Sequence, residues 1–223
     1  VRLAHIARVM AIAVVVSTTA CSTPSVNLGI PRAVAAPCPD IEVVFARGTG
    51  EPPGVGAVGE AFVNSLRSKV GARSVGVYAV NYPASYDFTN SAAAGGEDAR
   101  AHVQDMAVNC PDTRLVLGGM SQGAGVIDLI TMGPITIRRY VAAPMAPEVA
   151  DHVAAVAVFG NPGRNAPGGG PLTAISPLYG AKTIDLCAPE DLFCSRGLSL
   201  AAHLSYVKNG MTDQAADFVA ARV

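Results

Sequence analysis

The segment Leu115-Val116-Leu117-Gly118-Gly119-Met120-Ser121-Gln122-Gly123-Ala124-Gly125-Val126-Ile127 carries two signals at once. Leu115 to Leu117 is a short apolar run that reads as a buried strand. Gly125 to Thr131 continues as a helix. Between them stands Gly119-Met120-Ser121-Gln122-Gly123, a G-x-S-x-G pattern. A tight strand-to-helix turn of this kind lifts a serine Oγ above the C-terminal edge of a sheet, and its backbone admits only small neighbours. The pattern arises by chance in glycine-rich chains, and this chain has 23 glycines. The strand before it and the helix after it are what make Ser121 the candidate nucleophile.

Working outward, four more strands fit the composition: Ile41 to Ala46, Ser74 to Val80, Ala154 to Phe159 and the short Thr183 to Leu186. Helical spacing predicts helices at Val58 to Val70, Glu97 to Val108 and Asp213 to Arg222, the last with Thr212 as its cap. Asn81 to Gly96 reads as a polar loop, Gly160 to Gly180 as loop for most of its length, and Gly133 to Pro147 resists assignment. Apolar strands that alternate with helices predict an α/β fold, a mainly parallel five-stranded sheet covered on both faces. No internal repeat or linker interrupts residues 38–223, so one domain is expected there.

A nucleophile elbow needs an acid and a histidine later in the chain, in that order. Of the four histidines, His5 lies in the leader and His102 precedes Ser121. His152 stands just before the fourth strand, at the wrong edge of the sheet. His203 remains as the candidate base. The acid should come from the loop after the fifth strand, where Glu190 and Asp191 both qualify and Asp185 is the weaker choice. Asp191 is preferred. For the oxyanion hole, the backbone N–H of Gln122 is one expected donor. The loop Arg47-Gly48-Thr49-Gly50, directly after the first strand, supplies the other through Thr49.

The ends of the chain and its cysteines speak for export. Arg2, His5 and Arg8 precede the apolar run Val9 to Val16, which is too short to span a bilayer and suits a signal peptide. Ala33-Val34-Ala35 offers a cleavage site, so residues 1–35 are expected to be a leader and 36–223 the mature domain. Of five cysteines, Cys21 falls in the leader, where a lipid-attachment role at the cell envelope is the second option. The other four form an even set: Cys187 with Cys194, close in sequence, and by elimination Cys38 with Cys110. No zinc-like spacing occurs, and no metal or other cofactor is expected. The net charge of -1 offers no footprint for nucleic acid.

Together, Val44-Phe45-Ala46-Arg47-Gly48-Thr49-Gly50-Glu51, Gly119 to Gly123, Cys187 to Cys194 with Asp191, and Ala202-His203-Leu204 give the sequence a likeness. Over residues 38–223 it resembles the cutinase family, in particular the cutinase-like esterases of actinobacteria. The resemblance implies a small three-layer α/β/α sandwich without a large lid. It implies Ser121 as nucleophile, His203 as base, Asp191 as its orienter, Thr49 and Gln122 as oxyanion donors, and the same two disulfides. It further implies a secreted serine carboxylesterase acting on short or medium acyl esters, lipids or polyesters. Phospholipid hydrolysis and acyl transfer are alternatives on the same residues. Two departures stand out: Met120 where the family often has Tyr, and Thr49 where fungal members have Ser. The expected partners are an ester or lipid substrate and, for lipids, an interface; the chain is expected to act as a monomer.

Two rivals come from other classes. Gly54-Val55-Gly56-Ala57-Val58-Gly59 matches a dinucleotide fingerprint, although no acid follows the second strand to hold a ribose. A dormant hydrolase fold at the cell surface is the other, and the intact set of Ser121, Asp191 and His203 speaks against it.

Overall fold

The computed structural model describes residues 37–133, 136–137, 140–141 and 144–223. The chain divides into two units, Val1–Ala36 and Pro37–Val223. The first lies outside the described residues, and with it the leader, its cleavage site, His5 and Cys21.

The elements run β1 Ile41–Ala46, α1 Gly56–Lys69, β2 Val75–Ala79, α2 Phe88–Asn109, β3 Arg114–Met120 and α3 Gln122–Thr131. They continue with β4 Thr136–Ile137, β5 Tyr140–Val141, α4 Pro147–Ala150, β6 Val153–Phe159, α5 Leu172–Ile175, β7 Thr183–Leu186, α6 Leu200–His203 and α7 Met211–Ala220. Five strands form one sheet in the order β2-β1-β3-β6-β7. Every neighbouring pair in it is parallel. The expected α/β/α sandwich is therefore the observed one. Helices α1 and α7 pack together, as do α2 and α3. Two buried apolar clusters fill the layers. One includes Phe45, Phe62, Phe159 and Val219; the other includes Val44, Leu117, Val126 and Ile130. Strand residues thus alternate between two cores, which is why β1, β3 and β6 read as continuous apolar runs.

Several boundaries differ from expectation, each for a physical reason. Strand β3 runs on through Gly118, Gly119 and Met120, and α3 starts at Gln122, so the turn between them is Ser121 alone. Helix α2 begins at Phe88, inside the segment read as a loop. Asp87 caps it, accepting a hydrogen bond from Asn90 N. Gly95 looked like a breaker, yet a Cβ there would lie 2.7 Å from Val126 Cγ2. It lets α2 approach α3 closely. The cap of α7 is Gly210 in the left-handed region, not Thr212, which is buried within the first turn. The segment read as Gly133 to Pro147 contains β4 paired antiparallel with β5, and leads into α4. Helix α6 has no counterpart in the expected elements.

Cys38 is bonded to Cys110, and Cys187 to Cys194. The first bridge closes 72 residues of chain, which on a loop-entropy model is worth about 4 kcal/mol. The second closes the loop that follows β7. Among the described residues no helix is long and apolar enough to cross a membrane.

Candidate active site

The sheet register decides which loops meet. Ala46 stands beside Gly119, Met120 beside Phe159, and Phe159 beside Leu186. All five strands of this sheet being parallel, the loops after β1, β3, β6 and β7 gather at one edge. His152 is at the other, where its Nδ1 lies 3.2 Å from Pro111 O. His102 stacks on Tyr78 and bonds Glu42, so its ring is engaged by other partners.

Ser121 has φ 55, a conformation that costs a non-glycine residue about 1 to 3 kcal/mol. Its neighbours hold it there. Ser121 N donates to Phe159 O at 2.9 Å, and Gly125 N donates to Ser121 O at 3.2 Å. The flanking glycines cannot be replaced: a Cβ on Gly119 would lie 2.2 Å from Gly123 O, and one on Gly123 would lie 2.0 Å from Ala46 O.

The structure brings Ser121, His203 and Asp191 into one hydrogen-bonded line. His203 Nε2 is 2.9 Å from Ser121 Oγ, and His203 Nδ1 is 2.8 Å from Asp191 Oδ2. A carboxylate can only accept, so Nδ1 carries the proton and Nε2 is left free to take one. His203 ends α6, which is capped by Ser199 and tied to the acid's loop by Ser199 N donating to Glu190 O at 2.9 Å. Phe193 covers the imidazole with its ring centroid 4.4 Å away. On another side Gly160, with φ 58, leaves the room the ring needs: a Cβ there would lie 2.8 Å from His203 Cε1.

Asp191 is fully buried. Its Oδ1 accepts from Phe193 N at 2.7 Å and from Cys194 N at 3.4 Å, so the Cys187–Cys194 loop grips it. Burial pushes its carboxyl up, but hydrogen bonds from Tyr206, Phe193 N and His203 outweigh burial and hold it below the usual carboxylate range. It is ionised at neutral pH. Glu190 is exposed and contributes only its backbone here. Asp185 is engaged elsewhere, with Arg164 Nη1 at 3.1 Å and Leu172 N at 2.8 Å.

The two expected oxyanion elements are tied to one shared brace. Gln122 opens α3, so its N–H has no acceptor within the helix. Its side chain is fixed: Oε1 accepts from Ser91 Oγ and Nε2 donates to Ser85 O, each at 2.8 Å. The loop of Thr49 is held on both sides of that residue. Gly48 N donates to Glu51 Oε2 at 2.6 Å, and Gly50 N donates to Ala84 O at 2.8 Å. Arg47 Nη2 donates to Tyr82 O at 2.8 Å, and Tyr82 OH returns a bond to Arg47 O. Residues Tyr82 to Ser85 thus grip both elements. Glu51 also disposes of the dinucleotide fingerprint. Its Oε1 accepts from Ala57 N at 2.9 Å, so a carboxylate already sits at the α1 N-terminus where a phosphate would go.

Leu198, Leu200 and Leu204, in and around the helix that ends at His203, are exposed, so they are not core packing. Tyr86 and Phe88 are exposed next to Ser85, which holds the Gln122 side chain, and their rings meet edge to face at 6.1 Å. The sequence offered no signal for Tyr82, Ser91 or Tyr206, whose hydroxyls act over separations of 15 to 35 residues. Glu51 stood in the quoted motif without a role.

A parallel sheet covered on both faces, with a serine on a strand-to-helix turn and an imidazole at its oxygen, defines the α/β-hydrolase class. The family model described as Cutinase matches residues 37–223. "Carboxylesterase Culp1" of Mycobacterium tuberculosis is 54% identical over 216 residues, covering 95% of this chain and 94% of that protein. "Phospholipase Culp4" of the same organism is 55% identical over 186 residues, covering 83% and 80%. The solved cutinase of Trichoderma reesei, bound to a phosphonate inhibitor, is 33% identical with a TM-score of 0.64, covering 82% of this chain and 76% of that one. The chain belongs to the cutinase family and is a serine carboxylic-ester hydrolase.

Proposed function

We propose that Ser121 is the nucleophile of this hydrolase, His203 its general base and Asp191 the group that orients and charges the imidazole. The observation that carries this is the line from Ser121 Oγ through His203 to Asp191, with contacts of 2.9 and 2.8 Å. Ser121 Oγ bonds to the ester carbonyl carbon while its proton passes to His203 Nε2. The negative oxygen that forms is held by the N–H of Gln122 and by Thr49. His203 returns the proton to the departing alkoxide as the C–O bond breaks, leaving an acyl-enzyme. Water then gives a proton to His203 and its oxygen to the acyl carbon, and Ser121 regains its hydrogen as the acid leaves.

The substrates are carboxylic esters of short to medium acyl chains, lipids or polyesters. The exposed Leu198, Leu200 and Leu204 around α6 and the exposed Tyr86–Phe88 pair support an apolar chain and contact with a lipid interface. Phospholipid is the second substrate reading, supported by the relative named a phospholipase. The protein works as an exported monomer of residues 36–223; the leader pattern and the two disulfides support the export. The test is a p-nitrophenyl ester series from short to long chains, run with Ser121→Ala alongside. Turnover lost in the variant is the expected result. Turnover retained would remove Ser121 from the chemistry.

A further inference from the structure

We propose that Tyr206 is a positioning residue of this site: its hydroxyl shares Asp191 Oδ2 with His203 and so sets both the aim of the carboxylate and its hold on the imidazole. The inference rests on Ser121, His203 and Asp191 being the triad. Tyr206 is wholly buried, with its ring edge-on to Phe159 at 6.0 Å. Its hydroxyl lies 2.6 Å from Asp191 Oδ2, the oxygen that also takes His203 Nδ1 at 2.8 Å. The direction of the bond follows from a third contact. Ala188 N lies 3.0 Å from the same hydroxyl and can only donate. The ionised carboxylate can only accept, so the single phenolic proton goes to Asp191 and not to the weaker acceptor Cys194 Sγ at 3.4 Å.

Two consequences follow. The first is geometric. Phe193 N and Cys194 N fix Oδ1, but among the described residues Oδ2 has only Tyr206 and His203. Without Tyr206 the carboxylate would follow the imidazole instead of orienting it. The second is electrostatic. Two donors on one carboxylate oxygen divide its charge, so the tyrosine loosens the grip of Asp191 on a protonated His203. The ionisable groups acting on this cluster are few. Asp191 comes from the loop after β7, Asp185 from β7 itself and His203 from α6; β6 presents Phe159, and Gly160 follows directly after it. Burial and the Asp191 charge push the phenol's own ionisation up, so it remains a donor across the working range.

The test is the pH profile of p-nitrophenyl butyrate hydrolysis by the intact protein, as wild type, Tyr206→Phe and a variant with 3-fluorotyrosine placed at 206. The acid limb of kcat/KM reports protonation of the general base in the free enzyme. In Tyr206→Phe that limb should move to higher pH by about 0.5 to 1 unit, the scale of one lost hydrogen bond. With it kcat should fall about tenfold and KM stay within about twofold, since the lost contact touches no substrate. The fluorinated ring keeps the hydroxyl and donates more strongly, so its limb should move to lower pH with turnover nearly intact. It also keeps the test alive if the phenylalanine variant fails to fold. An acid limb within about 0.2 unit of wild type in the folded variants would overturn the proposal and leave Tyr206 as a brace. So would shifts of the same sign in both. Turnover surviving in Ser121→Ala would sink the triad instead, and that control involves no change at Tyr206.

Discussion

Replacing Asp191 with asparagine removes one charge and changes almost no volume, and the structure says which way the new amide must face. An asparagine has one oxygen and one NH2 where the carboxylate has two acceptors. If the NH2 took the Oδ1 position, it would face Phe193 N–H at 2.7 Å and Cys194 N–H at 3.4 Å, backbone donors that cannot turn away. If it took the Oδ2 position, it would face the Tyr206 hydroxyl and His203 Nδ1. Those two can adapt, the first by rotating its proton and the second by changing tautomer. The NH2 therefore goes to Oδ2, and His203 Nδ1 becomes an acceptor. Its proton is then on Nε2, pointing at Ser121 Oγ, and the serine has no base. The loss expected of kcat is about 10⁴-fold, or roughly 5.5 kcal/mol of barrier. Stability should fall by only about 1 to 2 kcal/mol, the scale of a rearranged buried hydrogen bond. Steady-state hydrolysis of p-nitrophenyl butyrate and a thermal melt measure the two. A rate within tenfold of wild type in a folded variant would refute the tautomer argument and turn attention to Glu190.

Gly160→Ala should cost at least about 100-fold in turnover, because its Cβ would press on His203 Cε1 and φ is 58. Near-native rates for this variant in the same ester assay would mean the imidazole can shift without loss. Opening the Cys187–Cys194 bridge by mild reduction should lower activity about tenfold or more, since the loop it closes supplies two donors to Asp191. Unchanged activity with both thiols titrated would make the bridge a fastening only. Asp128 gives a prediction with a sign. Burial, then the neighbouring charge of Asp185, raises its carboxyl well above the ordinary value, against a hydrogen bond from Asn161. A carboxyl raised in the fold stabilises fully below the unfolded value of about 4 and loses that contribution as pH rises toward the folded value. Asp128→Asn should therefore gain in melting temperature relative to wild type as pH goes from 4 to 8, and a difference constant with pH would contradict it.

How much of this was legible depends on how local the signal was. Strands β1 and β7 have the boundaries expected of them, because each is a β-branched or largely apolar run with a turn residue, Gly48 or Pro189, two or three positions past its end. Ser121 announced itself through a local backbone requirement, and chain order then left His203. Asp191 against Glu190 rested on preference in the sequence; in the fold, Glu190 turns outward at φ 66 and Asp191 turns in. The failures were tertiary. Gly95 lay in a stretch that looked like loop until its close approach to α3 gave a reason for glycine within a helix. Thr212 looked like a cap, but Gly210 with φ 69 makes the turn. The hydroxyls of Tyr82, Ser91 and Tyr206 act across the fold, and no spacing rule reports that.

The serine and its histidine are separated by 82 residues, and the acid–base pair follows β7, an edge strand of the sheet. At about 5 to 20 residues per second, a ribosome needs roughly 4 to 16 s to pass from one to the other. With the roles proposed above, the nascent chain through that interval has its elbow serine but no base to activate it. A copy that ends before residue 203 stays in that state for good. The order of the chain alone thus makes ester cleavage one of the last properties a growing copy acquires.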